Sequence, residues 1–150
     1  MIKTLLLAAL AFVFAIPASS WAANAQGGAA VAQKAQVRIT FDGKEAVVTL
    51  FDNPQAKEFQ AMLPMTVTLE DYANAEKIYY LPQKLNTNGG QNAEQVKGDF
   101  CYYAPWGNLA IFYKGMGYGT SLYVLGKLDS GKEALGAMGK NFTAKFEMIQ

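Results

Sequence analysis

Histidine is absent from this chain of 150 residues, and cysteine and arginine each occur once. Without histidine, the Ser-His-Asp and Cys-His arrangements that activate a nucleophile are excluded. One thiol without any imidazole also excludes Cys/His zinc sites, so we expect no metal centre. Acid–base chemistry near neutral pH would have to come from carboxylates, lysines or tyrosines, because the side chain that ordinarily titrates there is missing.

An excess of charge is also missing. The chain has 13 basic and 12 acidic residues, and one basic residue, Lys3, lies in a segment that we expect to be removed. Nucleic-acid-binding proteins carry a basic patch, so this balance predicts no nucleic-acid partner. Gly115, Gly117 and Gly119 alternate as in some phosphate loops, but no helix follows them. We therefore expect a mobile loop there and no cofactor.

The first 25 residues have the composition of a signal peptide. Lys3 precedes an apolar run at residues 5–16, which is shorter than the ~18 residues that a membrane span needs. Ala23-Asn-Ala25 matches a small-x-small cleavage site, so we expect cleavage after Ala25, with Ala22 and Ala23 as alternatives. A retained anchor is the competing interpretation. Cleavage predicts a periplasmic or secreted protein without membrane contact.

Residues 26–36 are rich in Ala, Gly and Gln and have no apolar period, which predicts a flexible leader. Residues 37–150 form the predicted domain, which is long enough to build one hydrophobic core. Within it, Cys101 has no partner for an internal disulfide, so it either pairs between chains or stays a free thiol. We expect a buried packing residue, because free cysteines are among the most buried residues.

Apolar and polar residues alternate along many short segments. Residues 37–41 and 46–50 flank the turn Asp42-Gly-Lys44, which predicts a first hairpin. Further strands are predicted at residues 65–69, 76–81, 100–103, 109–114, 122–128 and 142–148. On the strand at residues 122–128, Leu122, Val124 and Leu128 are expected on one side. Short strands closed by turns are typical of a small barrel or sandwich.

Two short helices are predicted, one near each end of the domain. Asn53 before Pro54 is a favourable N-cap, and this helix is expected to reach Met62. Ser130 and Glu133 have the spacing of a capping box, which predicts a second helix through Met138. The loop at residues 85–96 is long for a compact domain, and such loops are often binding elements or mobile.

The segment at residues 98–114 is dense in aromatic residues on both faces of its strands. Phe100 and Tyr102 are expected to point one way, and Cys101 and Tyr103 the other. The next strand alternates in the same manner. A barrel needs only one inward face per strand, so some of these aromatics must lie outside the core, under a helix or loop or in an exposed groove.

Glu70, Asp71 and Glu76 form a small acidic group. Paired carboxylates can perform acid–base chemistry or bind a hard cation. The spacing does not fit a calcium site, and we expect solvated charges near strand ends.

Several motifs resemble those of cyclophilins. Residues 124–131, Val-Leu-Gly-Lys-Leu-Asp-Ser-Gly, resemble the late cyclophilin strand with its V-x-G-K pattern, followed by a helix and a final strand. Residues 63–72, 76–82 and 98–113 are similar to the bacterial cyclophilin-like domain family, and Tyr-Tyr-Ala-Pro-Trp-Gly-Asn-Leu-Ala at residues 102–110 is the most specific part. The resemblance implies a mainly β fold, a closed eight-stranded barrel capped by two short α-helices.

Cyclophilins isomerise X-Pro bonds with a strand arginine inside an apolar pocket. In this sequence the corresponding strand, residues 65–69, has no arginine, and Arg38 lies in the first strand. Leu122 replaces the pocket histidine, and the pocket glutamine falls near Leu109. The resemblance therefore implies an apolar pocket without its polar catalytic groups. We expect no substantial prolyl isomerase activity and assign no catalytic residue.

The leading hypothesis is an exported module that binds a peptide or small molecule in an aromatic groove. Tyrosine and tryptophan offer stacking area together with a polar handle, and an asparagine can supply an amide contact. The candidate groove residues are Tyr80, Tyr103, Trp106, Asn108 and Phe112. The alternatives are a weak or diverged isomerase, another enzyme of unknown type, and a structural or oligomerisation domain that buries these aromatics between subunits; the sequence leaves the oligomeric state open.

Overall fold

The structure is a β-barrel with a short helix at two points of the chain. The computed structural model describes residues 34–94, 96–117 and 119–150; the predicted signal peptide and most of the predicted leader lie outside these residues. The strands are β1 (Gln36–Phe41), β2 (Lys44–Leu50), β3 (Met65–Tyr72), β4 (Glu76–Tyr80), β5 (Asp99–Tyr103), β6 (Asn108–Phe112), β7 (Leu122–Ser130) and β8 (Phe142–Met148). The helices are α1 (Pro54–Gln60) and α2 (Lys132–Ala137).

The strands close on themselves in the order β1-β2-β7-β5-β6-β4-β3-β8. All neighbours are antiparallel, and β8 pairs with both β3 and β1, which completes the cylinder. Closure leaves no strand with an unpaired edge, which removes a site of edge-to-edge aggregation. The predicted closed eight-stranded barrel is confirmed.

The strands predicted from alternating apolar and polar residues fill the barrel with their inward-facing apolar side chains. On β1, β2 and β8 the residues Ile39, Val48 and Phe146 are fully buried, while the residues between them are partly or fully exposed. Each strand therefore contributes one apolar face to a common core, and that burial is the main favourable term for folding. The predicted first hairpin is also confirmed, with Phe41 opposite Lys44 across the turn.

Helix α1 begins and packs as predicted. The Asn53 side chain accepts a hydrogen bond from the Ala56 amide at 2.8 Å, and Pro54 occupies the first turn. The buried Phe59 then meets Phe100 edge-on, with ring centroids 5.1 Å apart. The helix ends at Gln60, two residues before the predicted Met62, because Ala61 and Met62 already form a turn that leads into β3.

The capping box predicted for α2 is wrong. Ser130 remains extended because it pairs with Val47 as the last residue of β7, and the N-cap is Gly131 in the left-handed region at φ 83°. A Cβ on Gly131 would lie 2.4 Å from the Ala46 Cβ, so glycine is required here by space as well as by conformation. Glu133 does not reach back to the cap but accepts a hydrogen bond from Lys97 at 2.9 Å.

The predicted face of β7 is wrong as well. Phe100 pairs with Gly126 but Cys101 pairs with Val124, so Leu125 is the extra residue of a β-bulge. A bulge of one residue reverses which side chains face the barrel interior and which face outward along the rest of the strand. Leu125 and Leu128 therefore lie in the barrel core, whereas Leu122 lies on the outer side.

A lysine lies inside the barrel. The Lys77 side chain is fully buried and donates to Asp71 Oδ1 at 2.5 Å and to the Met138 carbonyl. Tyr113 donates its hydroxyl to the same carboxylate oxygen at 2.8 Å. Burial alone would raise the pKa of Asp71, but the hydrogen bonds from Lys77 and Tyr113 outweigh it and hold that pKa below its usual value. The network joins β3, β4 and the end of α2.

Replacing Asp71 with asparagine should destabilise the protein by about 3 kcal/mol, because it leaves the ammonium of Lys77 buried without a counter-charge. Urea denaturation at neutral pH measures this. The exposed pair of Asp52 and Lys57, 2.7 Å apart, provides the matched control: Asp52→Asn should change stability little. Because the pKa of Asp71 is lowered, its contribution is present above the unfolded value of 3.8 and disappears as the pH falls further. Equal effects of the two variants would contradict this assignment.

Candidate functional site

The wall formed by β4, β6 and β5 is buried on both faces. Glu76 lies opposite Phe112 and Ile78 opposite Ala110, and these residues face outward because neighbours along a strand point to opposite sides. Outside the wall, Ala110 and Phe112 belong to a second apolar cluster, whose other members are Ala93, Cys101 and Leu122. This confirms the expectation that part of the aromatic segment lies outside the barrel core.

Cys101 belongs to this outer layer and is fully buried, as predicted. Burial raises the pKa of its thiol well above the ordinary value, and the carboxylates of Asp99 and Glu76 raise it further. The thiolate is the reactive form of cysteine. Cys101 is therefore a packing residue rather than a nucleophile.

A cavity of about 280 Å³ opens on the outer face of this wall. It lies between the sheet, the turn after β5 and the loop that precedes β7. We call it the outer cavity. Its lining residues are Tyr72, Glu76, Tyr103, Trp106, Asn108, Phe112, Met116, Gly119, Thr120 and Leu122.

Three aromatic side chains stand together at the outer cavity. Trp106 contacts Tyr72 and Tyr103 edge-on, with ring centroids 5.5 Å apart in each pair. The turn that carries Trp106 is fixed by Gly107, which adopts φ 72° and donates its amide to the Tyr103 carbonyl at 2.8 Å. Trp106 keeps 46% of its surface exposed. Exposed apolar patches are a feature of binding surfaces, so Trp106 and its two tyrosine neighbours are the candidate site.

Four of the five predicted groove residues line the outer cavity: Tyr103, Trp106, Asn108 and Phe112. Tyr80 does not. It pairs with Asn108 across the strands, yet its side chain is half exposed beyond the cavity, since β4 ends at this residue.

The expectation that the acidic group is solvated is correct only for Glu70. Asp71 points into the barrel, where it meets Lys77, and Glu76 is buried on the outer face with 8% of its surface exposed. The three carboxylates thus lie in three different environments. Among residues 34–94, 96–117 and 119–150, no group of three or more His, Cys, Asp or Glu side chains could hold a metal ion.

Neither Tyr72 nor Glu76 is among the predicted groove residues, and the sequence predicted only a solvated carboxylate for Glu76. Its neighbours across the strands are Tyr72 on β3 and Phe112 on β6, and both also line the outer cavity. Within the described part of the chain its carboxyl forms no hydrogen bond or ion pair. Burial raises the pKa of Glu76 to about 7. The only sequence signal was its position directly after the tight turn that follows Tyr72.

Asn108 supplies a second unpartnered acceptor. The residue is 2% exposed, and its Nδ2 donates to the Leu109 carbonyl at 2.8 Å. Its Oδ1 is buried and receives no hydrogen bond. Buried acceptors are normally satisfied, so Asn108 Oδ1 is an exception in the described part of the cavity wall.

The described residues that line the outer cavity include no lysine or arginine. Arg38 lies on β1, where it pairs with Glu45 at 3.3 Å. Leu122, which the sequence placed where cyclophilins have a histidine, does line the cavity. The described wall therefore contains no cation that could polarise a prolyl nitrogen. The chemistry it offers is a carboxyl, an amide oxygen, hydroxyl groups and aromatic surface.

Comparison with known proteins agrees with this fold. A family model described as the cyclophilin-like family matches residues 39–147. The solution structure of a hypothetical protein from Archaeoglobus fulgidus is similar, with a TM-score of 0.57 and 16% identity, over 76% of this chain and 94% of that protein. At this identity the likeness concerns the fold alone. No curated protein matches the chain.

Glu76 should make the protein less stable as the pH rises. Its pKa is about 7 in the folded state and 4.5 when unfolded, so the folded chain holds the proton more tightly. The stabilisation is complete below pH 4.5 and is lost by about pH 7, a change on the order of 3 kcal/mol. Urea denaturation across this range should show a slope that disappears in Glu76→Gln.

Glu70→Gln is the matched control, because Glu70 is an exposed glutamate on the neighbouring strand β3. It should leave the slope of stability against pH unchanged. A slope that survives in Glu76→Gln would show that another group is responsible.

Proposed function

The chain belongs to the cyclophilin-like family, and we propose that it acts as an exported module that binds a small molecule or a short peptide segment in the outer cavity. The observation that carries the proposal is the group formed by Trp106, Tyr72 and Tyr103 at the mouth of an otherwise buried wall. Ligand sites are concave, mostly apolar, and contain a few polar groups that fix orientation. The outer cavity has each of these properties.

The size of the cavity limits the ligand. At about 280 Å³ it is near the lower end of the range for small-molecule sites. It has room for a compact molecule, or for one or two residues of a longer peptide that continues over the exposed face of Trp106. The tight packing of the layer beneath, with Cys101, Ala110 and Phe112 almost fully buried, supports a site that exists before ligand arrives.

Export is proposed from the N-terminal composition. The apolar run at residues 5–16 and the cleavage signal ending at Ala25 support removal of a signal peptide. No helix within the described residues has the length and apolar character to cross a bilayer.

A binding role is favoured over prolyl isomerisation. The described lining of the outer cavity offers Leu122 and Glu76 and no basic side chain. Transition-state stabilisation of a twisted prolyl bond in cyclophilins relies on an arginine, and a carboxylate would not replace its charge. We therefore propose a module without substantial isomerase activity.

Ligands of the outer cavity should change the fluorescence of Trp106. The only other tryptophan, Trp21, is in the predicted signal peptide, so the mature chain would give a single tryptophan signal. Calorimetry on Trp106→Ala should then show at least about tenfold weaker binding, since truncating a central aromatic is typically the costliest change at a site. Tyr80→Ala is the matched control, an aromatic of equal exposure outside the cavity. Equal losses in both variants, or no ligand from peptide and metabolite libraries, would refute the proposal.

In a protease-coupled assay with a proline-containing peptide, the protein should not accelerate cis–trans interconversion above the uncatalysed rate, which has a relaxation time of tens to hundreds of seconds. An ordinary cyclophilin assayed in parallel provides the positive control. Efficiency comparable with that cyclophilin would overturn this part of the proposal.

A further inference from the structure

The outer cavity has hydrogen-bond acceptors that lack donors. The Glu76 carboxyl has no partner among the described residues, and Asn108 Oδ1 is buried without a donor. Both residues line the same cavity, but Glu76 lies opposite Phe112, four residues along β6 from Asn108, so the two acceptors lie at different points of the cavity wall. An unmade hydrogen bond at a buried polar atom costs free energy that a ligand with N–H groups recovers.

The charge balance of the cavity points in the same direction. Among the described residues of the lining, Glu76 is the only carboxylic acid and none is a lysine or arginine. Lys77, the next residue along the chain, points to the opposite face, where it donates hydrogen bonds to Asp71 and to the Met138 carbonyl. A ligand with a carboxylate or phosphate would bring a second negative charge to Glu76 without any compensation. A ligand with a positive charge would neutralise it.

The aromatic side chains suit a cation as well. Tyr72, Tyr103, Trp106 and Phe112 all line the cavity around the carboxyl. Aromatic rings attract organic cations, and tryptophan does so most strongly. A carboxylate beside several aromatic rings is a combination that recognises an ammonium group attached to an apolar body.

We propose that the outer cavity binds the protonated amino group of a compact apolar ligand, with the Glu76 carboxylate accepting its N–H groups. This inference depends on the proposed function, that the cavity binds a ligand at all. The apolar body of the ligand would lie against Trp106 and its two tyrosine neighbours. An amine whose nitrogen carries hydrogen is favoured over a quaternary ammonium ion, which cannot donate a hydrogen bond to the Glu76 carboxylate.

Binding of such a ligand would depend on pH, because the cavity favours a cation only when Glu76 is ionised. Burial holds the pKa of Glu76 near 7. The titratable or charged groups around it are Tyr72 on β3, Cys101 and Asp99 on β5, Tyr103 on β5, and Lys127 on β7, which pairs with Asp99 at 3.4 Å. The thiol of Cys101 stays neutral, since its pKa is raised. Glu76 is therefore the group expected to control affinity between about pH 5.5 and pH 8.

The experiment compares phenethylammonium with 2-phenylethanol, a neutral molecule of matched size, by calorimetry on the mature wild-type protein at about pH 8. We expect the cation to bind at least about tenfold more tightly than the alcohol. At about pH 5.5 phenethylammonium is still protonated but Glu76 is not ionised, so this preference should shrink by about tenfold or more. Tetramethylammonium should bind more weakly than phenethylammonium.

Glu76→Gln should remove both the preference for the cation and its pH dependence, whereas Glu70→Gln should preserve both. The pH comparison on the wild type is independent of whether either variant folds well. If the alcohol and the cation bind equally to the wild type, the ammonium inference is overturned while ligand binding by the cavity stands. If neither binds, the ammonium inference is also overturned, and the library search followed by Trp106 fluorescence decides separately on the proposed function.

Discussion

The register of β4 against β6 is the constraint on which the rest of the structure depends. Pairing Glu76 with Phe112 puts Lys77 inside the barrel and Glu76 outside. A slip of one residue would exchange every side chain between the two faces. The exchange would remove Lys77 from Asp71, which holds it, and would place an unpartnered carboxyl in the barrel core. The register therefore settles both the stability of the barrel end and the chemistry of the outer cavity.

The wall made of β4, β6 and β5 serves two apolar layers at once. Its inner face contributes Phe100, Leu109 and Ile111 to the barrel core, and its outer face supports the layer around Cys101 and Phe112. Strands buried on both sides are rigid because neither face is free to move into solvent. The floor of the outer cavity is therefore formed by these rigid strands, and its rim is formed by a turn and a loop. This division suits a site that keeps its shape and adjusts only at its edge.

Much of the fold could be predicted from the sequence because it depends on local rules. The Asn53 cap and the alternation along β1, β2 and β8 involve residues close in the chain. The wrong predictions concern features that depend on contacts between segments distant in the sequence. The bulge at Leu125 follows from pairing with β5, and Gly131 is the cap because Ala46 lies against it. The alternation of apolar and polar residues did not distinguish a barrel from a sandwich. The resemblance to cyclophilins predicted the closed barrel.

The candidate site was only partly predictable for the same reason. Tyr103, Trp106, Asn108 and Phe112 belong to one hairpin, so their proximity follows from the chain itself. The position of Glu76 could not be predicted in this way, because its partner Phe112 on β6 is remote from it in the sequence. The same layer also conceals Cys101, with a consequence for practical work. A thiol that is both buried and kept protonated reacts with alkylating reagents only when the outer layer opens. The alkylation rate of this single cysteine therefore reports how often the outer layer opens.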